Sequence, residues 1–259
     1  MTAGRTEMRT PGVTELFDLT GKVALVTGGS RGLGLEMVRA FATAGADVVI
    51  TSRKLDACER VAEEIRGTGR RALPVAAHVA HWADVDRLVE AAYAEFGRVD
   101  VLVNNAGMSP LAPSSAATSE ELFDKVVGVN FKGPFRLAAT VGARMVEAGG
   151  GSIVNVSSTG ALMPQPGFGP YAGAKAALNA LTTVFALEYG PSVRVNTISA
   201  GPFLTDIAKA WPEEQRRSTR SAIGRPGLPH EIITTALYLA SGASSFTTGS
   251  LIRVDGGLY

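Results

Sequence analysis

The sequence predicts an α/β fold: one doubly wound parallel sheet of about seven strands, with helices on both faces. Three observations predict it. Short apolar runs alternate with longer segments whose apolar residues recur at helical spacing. The short runs are apolar throughout, as expected of strands buried on both faces. A glycine-rich turn separates the first run from the first helical segment, at the first strand-to-helix junction.

Residues 23–26 are the first strand and 32–44 the helix beyond the turn. A second strand at 48–51 leads into a helix at 55–65, with Val61 and Ile65 on one face. The third strand falls at 72–75, and the helix at 85–96 spaces Leu88, Val89 and Ala92 for burial. The fourth strand, 99–103, ends at Asn104 and Asn105. A long helical stretch at 122–145 should bend near Gly133 and Pro134. Strands at 153–156, 193–198 and 251–254 complete the sheet, with a helix containing Tyr171 after the fifth. Residues 16–259 read as one domain, preceded by an arm at 1–15 expected to be flexible. The irregular, charged segment at 203–228 reads as a mobile excursion beside the site.

Composition narrows the function classes. A net charge of +1 argues against general nucleic-acid or anionic-membrane binding. Cys58 is the only cysteine, which excludes an internal disulfide and fits a reducing cytoplasm. No apolar run is long enough to span a bilayer. The first residues carry Arg5, Glu7, Arg9 and Pro11 and do not resemble a signal peptide. His78 and His81 lack a third ligand at plausible spacing, so no metal is expected.

Tyr171 and Lys175 are four residues apart in a helical stretch and so share a face. An ammonium beside a phenol favours the phenolate and lowers a pKa that is ordinarily about 10. That makes the tyrosine usable as an acid and base near neutral pH. At the other end, the turn reads Thr27-Gly28-Gly29-Ser30-Arg31-Gly32-Leu33-Gly34. Gly28 allows a tight turn, while Gly32 and Gly34 let backbone approach a pyrophosphate at the helix N-terminus.

With these motifs the chain resembles the short-chain dehydrogenase/reductase (SDR) family over about residues 19–257. The Thr-Gly-x-x-x-Gly-x-Gly pattern falls on Thr27, Gly28, Gly32 and Gly34, and Asn-Asn-Ala-Gly on Asn104 to Gly107. The family's active-site asparagine falls on Asn130. Its serine falls on Ser158, thirteen residues before Tyr171, and its Tyr-x-x-x-Lys on Tyr171 and Lys175. The resemblance implies a Rossmann-type domain and a nicotinamide cofactor. It assigns proton transfer to Tyr171, pKa lowering and ribose binding to Lys175, substrate-oxygen contact to Ser158, and a helix bend with a proton-relaying water to Asn130. It places the cofactor on Gly28, Ser30, Arg31, Gly32, Leu33 and Gly34 of the turn. Ser52, Arg53, His78 and Val79 would follow the next two strands, and Asn105, Ala106 and Gly107 the fourth. Tyr171, Lys175, Pro202, Phe203 and Thr205 would complete that site.

No acidic residue stands at Thr51 or Ser52 to hold ribose hydroxyls, whereas Arg53 and Arg31 suit a 2′-phosphate. NADP(H) is therefore expected ahead of NAD(H). His78 departs from the family, which usually has an aspartate there; adenine contact should then fall to the backbone near Val79. The expected substrate wall comprises Met108, Leu162, Phe168, Phe203 and Trp211, mainly apolar. It suits a neutral or partly apolar ketone or secondary alcohol. Two alternatives are a 3-oxoacyl thioester reductase and a gluconate-type sugar-acid dehydrogenase. A third is a dinucleotide-sensing regulator without catalysis, which retention of all four catalytic positions disfavours. The resemblance also implies a homotetramer.

Overall fold

The apolar runs become strands of one sheet in the computed structural model, which describes residues 10–259. Its strands are β1 (Val23–Thr27), β2 (Asp47–Ser52), β3 (Ala72–Ala76), β4 (Val101–Asn104), β5 (Gly151–Ser158), β6 (Val193–Ala200) and β7 (Leu251–Val254). All six neighbouring pairs are parallel, in the order β3-β2-β1-β4-β5-β6-β7. Strand order reverses between β1 and β4, which opens a crevice at their carboxyl ends. β3 is an edge strand, which explains why Pro74 is tolerated in it.

Nine α-helices accompany the sheet among the described residues. α1 (Val13–Leu16) is a single turn within the expected arm, whose residues 1–9 lie outside the described residues. The others are α2 (Gly32–Thr43), α3 (Leu55–Arg66), α4 (Trp82–Phe96), α5 (Glu120–Val127), α6 (Gly133–Glu147), α7 (Gly169–Tyr189), α8 (Glu213–Arg217) and α9 (Ile233–Ala240). One apolar layer joins the sheet to α2, α3 and α9, and the other joins it to α4, α6 and α7. The sequence reading missed α9, a short helix whose apolar residues leave little polar face to reveal its period.

The long helical stretch is irregular where a bend was expected, though earlier than Gly133. Residues Gly128–Lys132 form a π-turn, in which the Gly133 N–H donates to the carbonyl five residues back, at Gly128. In an α-helix Pro134 would serve the carbonyl of Asn130, and proline has no N–H to give. The irregularity is thus centred on Asn130, in keeping with the frequent use of π-turns at functional sites.

The segment at 203–228 is tied at its base. Leu204 N–H donates to Gly227 O at 2.8 Å, and Gly227 N–H to Pro202 O at 2.9 Å. Farther along, Ala222 and Ile223 donate to the carbonyls of Gly257 and Gly256. These bonds make the segment a folded flap, tied at its base and again near its end.

Candidate active site

The crevice between β1 and β4 is held by one side chain from each strand end. Thr27 Oγ1 accepts from the N–H groups of Asn105 and Ala106, at 2.9 and 3.0 Å, and donates to Val103 O. Asn105 Nδ2 donates to Thr27 O at 2.8 Å. These bonds clamp the glycine turn to the Asn104–Gly107 segment. Sequence reasoning quoted Thr27 as part of a pattern but gave it no role; its signal was a hydroxyl at the last position of an otherwise apolar strand.

The turn has room for a ligand because its glycines cannot be filled. Gly28 has φ +65° and Gly32 φ +56°, conformations open chiefly to glycine. A Cβ at Gly34 would lie 2.3 Å from Gly28 O, so the turn folds down onto the start of α2. The N-terminus of α2, with its unsatisfied N–H groups, then faces the crevice. This cradle fits a dinucleotide pyrophosphate. Ser30 and Arg31 lie on its surface, whereas the Leu33 side chain packs against the core and leaves only its backbone for a ligand. Thr205 closes over the turn, its Cγ2 3.4 Å from where a Gly32 Cβ would be.

Beside the cradle, the β2 and β3 ends are in register, Ser52 with Ala76, and Ala77 N–H donates to Ser52 O. Arg53 and His78 are therefore neighbours, and the guanidinium contributes to lowering the His78 pKa, after burial and His81. His78 stacks on His81 with centroids 4.5 Å apart, and its Nδ1 accepts from Ala80 N–H. Among the described residues no three metal-binding side chains converge. Arg53 is exposed and Arg31 forms a 3.8 Å ion pair with Asp206. One of the two expected phosphate clamps is thus shared with the flap. Pro202 bonds to the flap through its backbone carbonyl, and Val79 is buried behind His78.

The reacting groups gather where β5 and α7 meet. Ser158 Oγ accepts the Gly160 N–H at 3.0 Å, and it meets the Tyr171 ring beside that glycine: a Cβ on Gly160 would lie 3.4 Å from Ser158 Oγ and 3.5 Å from Tyr171 Cε1. One turn along α7, Lys175 is 3% exposed, and its Nζ donates to Val156 O at 2.7 Å. Burial lowers its pKa to about 8. Burial also raises the Tyr171 phenol above its ordinary value, with Ser158 pulling in the opposite direction. This corrects the expectation that Lys175 acidifies the phenol: the ammonium is turned to a carbonyl, and desolvation governs the tyrosine.

Asn130 is fully buried. Its Nδ2 donates to Met108 O at 2.8 Å and Val126 O at 2.9 Å, and its Oδ1 accepts from Met108 N–H at 3.3 Å. Gly107 lies between it and the lysine: a Cβ there would be 3.0 Å from Asn130 Oδ1 and 3.6 Å from Lys175 Nζ. The structure thus gathers Asn130, Lys175, Tyr171 and Ser158 at one end of the crevice. Of the expected substrate wall, Phe168 lies beside Tyr171, their ring centroids 6.3 Å apart. Leu162 is exposed and Met108 half-buried, as wall positions need to be. Phe203 is not: its ring is buried in the core and packed on Gly227, an anchor for the flap. Trp211 is half-buried where the flap's first helical turn, Asp206–Ala210, ends.

Comparison with known proteins agrees with this geometry. The short chain dehydrogenase profile matches residues 22–216. An uncharacterized oxidoreductase of Mycobacterium tuberculosis is 40% identical over 250 residues, 95% of each chain. The D-threitol dehydrogenase of Mycolicibacterium smegmatis is 37% identical, over 93% of this chain and 94% of the relative. Among solved structures, the NADPH-dependent 3-quinuclidinone reductase of Rhodotorula rubra superposes with a TM-score of 0.90 at 30% identity, over 98% of both chains. The 3-ketoacyl-(acyl-carrier-protein) reductase of Brucella melitensis, complexed with NADH, has a TM-score of 0.87 at 37% identity, over 93% of this chain and 99% of that one.

Proposed function

The chain belongs to the short-chain dehydrogenase family, and from that premise we propose how its residues divide the work of an NAD(P)-dependent oxidoreductase. The substrate is a ketone or secondary alcohol, and the bound nicotinamide supplies or takes the hydride. Tyr171 is the acid–base group. The observation that carries this reading is the convergence of the Ser158 and Tyr171 side chains beside Gly160, with buried Lys175 one helical turn away.

A phenol held above its ordinary pKa is protonated at neutral pH, the state that donates to a carbonyl oxygen during reduction. Ser158 shares the charge left on the oxygens and keeps the phenol from drifting too high. Lys175 holds the hydroxyl side of the cofactor, and its pKa near 8 lets it exchange a proton in the working range. Asn130, fixed to the Met108 backbone, sets the floor of that path. Arg53, with Arg31, favours NADP(H) through a 2′-phosphate. Leu162, Met108 and Phe168 favour a neutral, partly apolar substrate. Among the described residues no helix is long and apolar enough to cross a membrane, in keeping with a cytoplasmic enzyme. Exposed Leu187 and Phe246 are apolar surface that a homotetramer would cover, and sedimentation as a monomer would reject that assembly.

Tyr171→Phe tests the reading. It should still bind NADPH and lose about 10²- to 10⁴-fold in kcat. Turnover at the wild-type rate would remove the acid–base role.

A further inference from the structure

Gly128 and Gly133 bracket Asn130, and neither is required by its own backbone. Gly128 sits at φ −54°, ψ −48° and Gly133 at φ −66°, ψ −53°, helical values open to any residue. Glycine inside a helix costs about 1 kcal/mol relative to alanine, so local structure favours a larger residue at both positions. The neighbours oppose one, prohibitively at Gly133 and by a few tenths of an ångström at Gly128. A Cβ at Gly133 would lie 2.4 Å from the Val79 carbonyl oxygen, and a Cβ at Gly128 would lie 3.0 Å from the Ala80 methyl.

The two glycines therefore seat the Val79–Ala80 turn directly on the π-turn. That turn leaves β3 beside His78 and Arg53, at the end of the crevice that suits the adenosine phosphate. The π-turn carries Asn130, which holds the Met108 backbone beside Gly107 and Lys175. One layer of contact links the two ends of the site.

We propose that Gly128 and Ala80 form a positioning contact, which fixes Asn130 relative to the adenosine-end turn so that cofactor binding and proton transfer keep one spacing. The inference rests on the proposed nicotinamide-dependent reaction. A methyl at 128 forces the two turns apart by a few tenths of an ångström. Since a misplacement of about 1 Å costs about 10²-fold in rate, the expected loss in kcat is about three- to tenfold.

The test compares wild type, Gly128→Ala, Ala80→Gly and the double variant. Readouts are kcat against pH, the KM for NADPH, NADPH affinity by fluorescence titration, and melting temperature. Gly128→Ala should lower kcat, shift the limb of its pH profile and weaken NADPH, without lowering the melting temperature. Adding Ala80→Gly removes the opposing methyl and should restore kcat and affinity to within about twofold. Gly128→Ala with wild-type kcat, profile and affinity would overturn the proposal. So would losses that Ala80→Gly does not recover. Wild-type protein that binds NADPH yet turns over no carbonyl would defeat the proposed reaction instead, and the affinity comparison across the four proteins would still decide the contact.

Discussion

Replacing Lys175 with methionine separates what the lysine does for the site from what it costs the fold. The amine is buried, and its pKa falls from 10.5 to about 8. That shift corresponds to about 3 kcal/mol of disfavour for the charged form in the folded state. The sign follows from the direction. Below about pH 8 both folded and unfolded chains carry the proton, and the whole penalty is present. Between about pH 8 and 10.5 the folded chain sheds its proton first, and the penalty fades. Methionine carries no such penalty but abandons the Val156 carbonyl, at a cost of about 1–3 kcal/mol. Near pH 7 Lys175→Met should therefore be about as stable as wild type, or up to about 2 kcal/mol more stable, while inactive. By pH 10 its advantage should have fallen by about 2–3 kcal/mol, because the wild type has gained that much. Urea unfolding followed by circular dichroism, at one subunit concentration and at both pH values, measures the difference; titrations common to the two proteins cancel. A variant-minus-wild-type difference that does not change with pH would refute a desolvated charge at this position.

Other outcomes follow from the same groups. Ser158→Ala removes the one interaction that lowers the phenol pKa, so the Tyr171-controlled limb of the pH–rate profile should move to higher pH. kcat should fall by about 10²- to 10³-fold, and an unmoved limb would show that the serine does not act through the tyrosine. Arg53→Asp should shift the ratio of kcat/KM for NADPH over NADH by at least about tenfold towards NADH, the size expected when a charge-assisted bond becomes a repulsion. An unchanged ratio would remove Arg53 from cofactor choice.

The parts of this molecule that were legible in the sequence are those fixed by local chemistry. β1, the glycine turn and α2 follow from an apolar run, positive-φ glycines and a helical period within one short stretch. The edge position of β3 was available from Pro74 but was not used. Asn130 illustrates a displaced signal: proline acts on the carbonyl four residues before it, so the irregularity belongs at 130 and not at 133–134. The pairing of Ser158 with Tyr171 came only through family resemblance, since nothing in a thirteen-residue spacing dictates contact. Electrostatics was the least legible. Two residues on one helix face suggested mutual charge stabilisation, but burial, a product of the whole fold, decided the pKa directions. Ala80 and Gly128 were invisible for the same reason: each is an ordinary small residue until the other stands against it.

A buried lysine that disfavours its own charge needs a helix that cannot slide to relieve it. An apolar helix on an apolar sheet has many nearly equal registers, and polar bonds select one. Beneath α7 runs such a set. Asn104 Nδ2 donates to Asn155 Oδ1, Asn155 Nδ2 donates to Thr182 Oγ1, and Thr182 shares a 2.6 Å hydrogen bond with Thr197, all of them buried. Asn104, Asn155 and Thr197 are aligned across β4, β5 and β6, so the row crosses the sheet at one level. Thr182 lies two helical turns beyond Lys175 on the same face of α7. A slip of one residue would break the Thr182 bonds and leave several buried groups unsatisfied, at about 1–3 kcal/mol each. That loss equals or exceeds the roughly 3 kcal/mol gained by freeing the ammonium. The polar row therefore keeps Lys175 against Val156 and Tyr171 against Ser158 in spite of the charge it confines.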